Sequence, residues 1–128
     1  MKFSIEKATL LSSLQYISKA SPTRSTLPIL SCIFFEVKGS LLTMRTTNLE
    51  VFITMAVEVE GPEEGNIAIP LTTLLEISSA MNDEFLHFVI SDVGKVNIQS
   101  SCGKYTIMGQ PAEEFPSEPS VEEGNNVV

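Results

Sequence analysis

One series of apolar spacings runs through this chain twice. Residues 2–5 alternate as a strand with Phe3 and Ile5 inward. Leu10, Leu11, Leu14 and Ile17 then take the i, i+1, i+4, i+7 spacing of a single apolar stripe, which predicts a helix over 7–19. Strands follow over 28–37, with Ile29, Ile33, Phe35 and Val37 on one face, and over 41–45, after a tight turn at Lys38-Gly39. Over 49–59, Val51, Ile53, Met55, Val57 and Val59 alternate with Glu50, Phe52, Thr54, Ala56 and Glu58, as in a sheet with one buried face. Pro62-Glu63-Glu64-Gly65 reads as a loop, and then the series restarts. It repeats as a strand over 66–69, a helix opened by Pro70 and striped by Leu71, Leu74, Leu75 and Met81, and strands over 85–90, 96–100 and 104–108.

The two halves align in detail. At an offset of 64, Ile5, Thr9, Leu10 and Leu11 fall on Ile69, Thr73, Leu74 and Leu75. At an offset of 54, Leu42, Met44, Val51 and Ile53 fall on Val96, Ile98, Tyr105 and Ile107. Any two strand-helix-strand stretches share some apolar positions. A repeated order with Thr-Leu-Leu at both helix starts favours a duplicated strand-helix-three-strand unit. The expected fold is α+β: two adjacent helices, about 7–19 and 71–81, packed on antiparallel sheets. Each helix then has one face for the sheets and one for water or a ligand.

Charge narrows the function. The chain of 128 residues is one domain by size and carries a net charge of −8. All eight Lys and Arg lie between residues 2 and 104, and five of the sixteen acids, Glu113, Glu114, Glu118, Glu122 and Glu123, crowd the end. This balance argues against a nucleic-acid binder that works by bulk attraction, and any DNA role must use a local basic surface. No apolar run approaches the roughly 18 residues of a membrane span, and Glu6 comes too early for a signal peptide. Cys32 and Cys102 lack metal-ligand spacing and read as free thiols of a reducing cytoplasm, with a disulfide between them the alternative.

Catalytic signals are missing. His87, the one histidine, sits between Leu86 and Phe88 with no Ser, Cys or carboxylate partner indicated by spacing. Glu63-Glu64 and Glu122-Glu123 read as solubilising loop acids. There is no P-loop, no GxGxxG and no metal cluster, so no cofactor is expected.

Four blocks carry more information. They are Arg24-x-x-Leu27-Pro28-Ile29-Leu30, Thr46-Thr47-Asn48-Leu49-Glu50, Gly65-x-Ile67-x-Ile69-Pro70 and Pro111-Ala112-Glu113-Glu114-Phe115-Pro116. In the first, an exposed cation and a short polar turn precede a proline that opens a long apolar strand. Their order and separations, with the Met1-Lys2-Phe3 start, resemble the N-terminal domain of the bacterial sliding clamps, the β subunits of DNA polymerase III.

The resemblance implies a DNA-clamp (processivity) fold and a mechanical role. Sliding clamps are rings of two subunits with three similar domains each, their helices lining a hole and their sheets forming the rim. Such a ring encircles double-stranded DNA without reading its sequence and tethers the replicative polymerase. It is a non-catalytic subunit of the polymerase holoenzyme. Polymerase and clamp loader bind through later domains, absent here. Residues 1–116 are expected to form the domain and 117–128 an acidic linker towards a missing second domain.

The implied DNA contact is Arg24, with Lys7 and Lys19 read either as further contacts or as a solvated helix face. The implied ring-closing edge is Lys104, Tyr105 and Ile107, read either so or as ordinary core and rim. Basic residues common on the family's second helix are here replaced by Thr72, Thr73, Ser78 and Ser79, with Glu76 the only charge. The alternative class is an acidic clamp-fold module that binds protein and not DNA; an enzyme built around His87 is the third.

Overall fold

The computed structural model describes residues 1–20, 28–101 and 103–116. The first half comprises β1 (Lys2–Glu6), α1 (Lys7–Ile17), 3₁₀ turns at Ser18–Ala20 and Pro28–Ser31, β2 (Cys32–Lys38), β3 (Leu41–Thr47), β4 (Phe52–Glu58) and β5 (Glu60–Glu63). The second comprises β6 (Gly65–Pro70), α2 (Leu71–Ala80), β7 (Phe85–Ile90), β8 (Lys95–Gln99), β9 (Lys104–Met108) and a 3₁₀ turn at Ala112–Glu114. The strands form two antiparallel sheets, in the orders β5-β1-β7-β8-β9 and β4-β3-β2-β6.

The duplication is present, with an exchange. Each half lends its first strand to the sheet of the other: β1 pairs with β7, and β6 with β2. The stacked rings of Phe3 and Phe88, with centroids 4.7 Å apart, and the tilted ring of Phe35 sit where the two sheets meet. Leu10, Leu14 and Ile17 of α1 and Leu71 and Leu74 of α2 join them in one continuous core. The helices lie side by side and antiparallel. The Lys7 ammonium at the start of α1 donates to the Met81 carbonyl at the end of α2, and the Lys7 amide donates to Glu84 at 2.7 Å.

Several expectations change. Residues 28–31 are a 3₁₀ turn and not the start of a strand. Proline's fixed φ suits that turn and it has no N–H to give a ladder. The Ser31 hydroxyl closes the turn on the Pro28 carbonyl at 2.7 Å, and β2 begins at Cys32. The loop expected at 62–65 is instead the end of β5 and the start of β6. Gly61, at φ +59, shapes β5, and Pro62 is tolerated because β5 is an edge strand. Helix α1 ends at Ile17, two residues early, where the chain tightens into a 3₁₀ turn. The offset of 54 holds for β3 and β8 but not for the last strands. Val96 faces Ile107 as Leu42 faces Val57, so the counterpart of Ile107 is Val57 and not Ile53. The first hairpin is longer, with seven paired positions against five.

That longer hairpin explains one sequence block. Thr46 is fully buried, and its hydroxyl donates to the Ile17 carbonyl, fastening β3 to the end of α1. The Thr47 hydroxyl accepts from the Leu49 amide and donates to the Val51 carbonyl, both at 2.8 Å. Asn48 Oδ1 accepts from the amides of Glu50 and Val51, both at 2.9 Å, forming an Asx-type turn. Leu49 adopts φ +80 within it. A second block is a strap. Ala68 and Gln110 exchange backbone hydrogen bonds of 3.0 and 2.8 Å, and the buried Phe115 ring stacks on Phe34 at 5.6 Å.

Candidate nucleic-acid interface

The face of the helix pair away from the sheets follows from the apolar stripes. With Leu10, Leu14 and Ile17 buried, the exposed residues of α1 are Ala8, Ser12, Gln15 and Tyr16, continued by Lys19 in the following turn. With Leu71, Leu74 and Ser78 buried, the exposed residues of α2 are Thr72, Thr73, Glu76, Ser79 and Ala80. This outward face is mostly hydroxyl and amide. Lys19 and Glu76 are its exposed charges among the described residues.

The three candidate DNA contacts fare differently. Lys19 is exposed, with its ammonium 5.5 Å from the centre of the Tyr16 ring. Lys7 is half-buried and committed to Met81, so it holds the two helices together. Arg24 lies outside the described residues, as do Cys102 and the segment 117–128. Arg45 is far from this face in the fold. It donates to Thr54 Oγ1 at 3.0 Å and lies 5.4 Å over the Phe34 ring, on the side of β3 opposite the buried Met44.

The candidate edge residues also separate. In β9, Lys104 is exposed and Tyr105 is 41% exposed, while Ile107 is only 6% exposed and packs into the chain's own core. The Ile107 side chain is thus a core group, and Lys104, Tyr105, Thr106 and Met108 are the exposed residues of β9. The four sheet edges are not equivalent. Exposed Glu60, Pro62 and Glu63 blunt β5, and the strap at Gln110 covers β6. Among the described residues, β4 and β9 have no strand on their outer side.

His87 does find a serine that spacing did not indicate. Cross-strand pairing sets Ser4 opposite it, with Ser4 Oγ 2.6 Å from Nδ1. The ring is exposed on the outer face of its sheet, with Gln99 opposite on the other side. Among the described residues no group of three or more His, Cys, Asp or Glu is placed to hold a metal ion, and no helix is long and apolar enough to cross a membrane. Cys32 is a buried free thiol, and burial pushes its pKa up.

The sequence reading passed over two features. Tyr16 is no cation and so stands outside a pattern of basic residues, although its i, i+3 spacing to Lys19 is legible in the sequence. The free edge of β4 depends on which strands pair across the fold, which local pattern does not encode.

Comparison with known proteins agrees over most of the chain. Residues 1–119 match the family described as "DNA polymerase III beta subunit, N-terminal domain". The beta sliding clamp of Vibrio harveyi is 33% identical over 118 residues, covering 91% of this chain and 81% of that sequence. That of Pseudomonas putida is 33% identical over 125 residues, covering 97% of this chain and 33% of that sequence. Among solved structures, the DNA polymerase III subunit beta from Pseudomonas aeruginosa superposes with a TM-score of 0.87 at 27% identity, over 94% of this chain and 33% of that one. A putative DNA polymerase III beta subunit from Eubacterium rectale gives 0.89 at 28% identity, with the same coverage of 94% and 33%. The chain spans about a third of the length of the Pseudomonas relative and of both solved chains.

Proposed function

The chain belongs to the DNA polymerase III β subunit family, matching its N-terminal domain, and on that premise we propose that it is the first domain of a DNA sliding clamp. Joined to further domains in a closed ring, it encircles duplex DNA with α1 and α2 facing the hole and the sheets forming the rim. The ring tethers the replicative polymerase in the cytoplasm. The domain itself does no bond chemistry, and polymerase and clamp loader dock on later domains. Residues 1–116 form the working unit, and 117–128 run as a linker to the next domain.

The observation that carries the reading is where the carboxylates are not. In a chain with sixteen acids and a net charge of −8, Glu76 is the only carboxylate among the exposed residues of the two helices. Close approach of phosphates is thus opposed by a single charge on that face. The exposed Thr72, Thr73 and Ser79 there are neutral donors to phosphate oxygens, which position a duplex without reading bases. Loose, sequence-blind contact is what sliding requires. Arg24 and Lys19 supply the cations, and Lys7 contributes through the helix pair. Ring closure uses the free edge of β9, with Lys104 and Tyr105 outward and Ile107 supporting them from the core.

A chimaeric clamp tests this, with this chain in place of the first domain of a β subunit. Loaded on nicked circular DNA, it is expected to stay bound and to slide off once the circle is cut. Equal loss from both DNA forms, with polymerase still captured, supports the protein-binding module instead. Arg24→Ala in the ring is expected to weaken DNA association and lower the slope of log K against log salt by about one.

A further inference from the structure

We propose that Tyr16 is a duplex-contact residue, donating its phenolic O–H to a backbone phosphate while Lys19, seated on its ring, supplies the neighbouring cation. The inference rests on the clamp reading and deepens it. Three observations lead there. Tyr16 is 53% exposed and lies on the outward stripe of α1, in line with Ser12 and Lys19. The Lys19 ammonium stands 5.5 Å from the ring centroid, within cation–π range, so the pair is mutually ordered and not two independent side chains. No hydrogen bond to the phenol is found among the described residues, which leaves it available to a ligand.

The chemistry suits the face. With Lys19 its one exposed cation among the described residues, other phosphate contacts fall to neutral donors. Of the exposed side chains of α1, tyrosine is the longest that carries an O–H. A hydroxyl bond to an ionised phosphate is charge-assisted, shorter and stronger than a neutral pair. The ring adds a flat apolar surface for a sugar edge and fixes Lys19 over one side of the contact. A contact to phosphate alone carries no base readout, so it passes from phosphate to phosphate as the duplex moves.

Isotope-labelled chain titrated with a short duplex at several salt concentrations tests the proposal. The expected shifts centre on Ser12, Gln15, Tyr16 and Lys19. Tyr16→Phe keeps the ring and removes only the O–H. It is expected to weaken binding about two- to tenfold, the range of one hydrogen bond, with the salt slope unchanged because no charge is lost. Lys19→Gln is expected to lower that slope by about 0.9. Shifts on the helix face with unchanged affinity in Tyr16→Phe would overturn the tyrosine contact and leave the clamp reading standing. No shift at millimolar duplex would likewise overturn the tyrosine contact alone, since the clamp reading rests on ring closure; shifts confined to the sheets would overturn both.

Discussion

Lys7, which opens α1, and Lys19, in the 3₁₀ turn after it, show how identical residues acquire different work. Lys19 is exposed, so replacing it should leave folding almost unchanged, within about 0.5 kcal/mol. Lys7 closes the end of α2 through the Met81 carbonyl, and a hydrogen bond from a charged group contributes more than a neutral one. Because Lys7 is half in solvent, Lys7→Met is expected to cost only about 1 kcal/mol in urea unfolding. Cys32 supplies a pH test. Burial pushes its thiol pKa up, so the folded chain keeps a proton that the unfolded chain releases. The unfolded state then binds fewer protons above the ordinary thiol range near pH 8.5, and stability falls as pH rises through it. In a Cys102→Ser background, alkylation of Cys32 at pH 9 should be slow in buffer and fast in urea. Equal rates would contradict the burial. At this scale the sequence was legible for the core, where Phe3, Ile5, Leu10 and Leu14 are all buried as expected. It was less legible for Ile107, because an apolar residue on a terminal strand serves core and interface equally well by pattern alone.

At the scale of elements, the helices and most strands were readable because each buries one face, and the period of its apolar residues records which. What local pattern withholds is partner choice. Nothing in residues 2–6 announces that β1 joins β7 of the other half, since any antiparallel neighbour with a matching apolar face serves. Residues 28–31 misled for a related reason: Ile29 and Leu30 are apolar, but Pro28 favours a turn and starts no ladder. Two elements invite measurement. Leu49 holds φ +80 while its side chain is 52% exposed. Left-handed backbone costs a side-chain-bearing residue roughly 1–2 kcal/mol. Leu49→Gly removes that cost and adds backbone entropy to the unfolded chain, so a net gain of about 0.5 to 1 kcal/mol is expected by thermal denaturation. The strap works in the opposite sense. Phe115→Ala strips the ring stacked on Phe34 and should cost about 2–4 kcal/mol, somewhat below a central core position because the strap lies at the surface. A cost under about 0.5 kcal/mol, the surface range, would show the strap to be idle.

For the whole molecule, the exchange of β1 and β6 brings both helices to one side and leaves β4 and β9 open as edges of different sheets. Two unlike open edges suit head-to-tail association, which closes into rings when the rotation allows. The sheet edges that the fold does not need for this are closed by Pro62 and by the strap. Tyr105→Asp, on the β9 edge, is expected to loosen ring closure with little effect on folding, read as faster loss from circular DNA. In the ring, the outward helix face and not a sheet is expected to meet the duplex. Photo-crosslinking groups placed singly at Gln15, Ser79 and Asn97 of the chimaeric clamp test it on loaded circular DNA. Gln15 and Ser79 lie on the helices, and Asn97 lies on the outer face of β8. Crosslinks to DNA from Gln15 and Ser79, with none from Asn97, are expected; crosslinks from Asn97 with silent helices would put the duplex against the sheet and rule out the helix face.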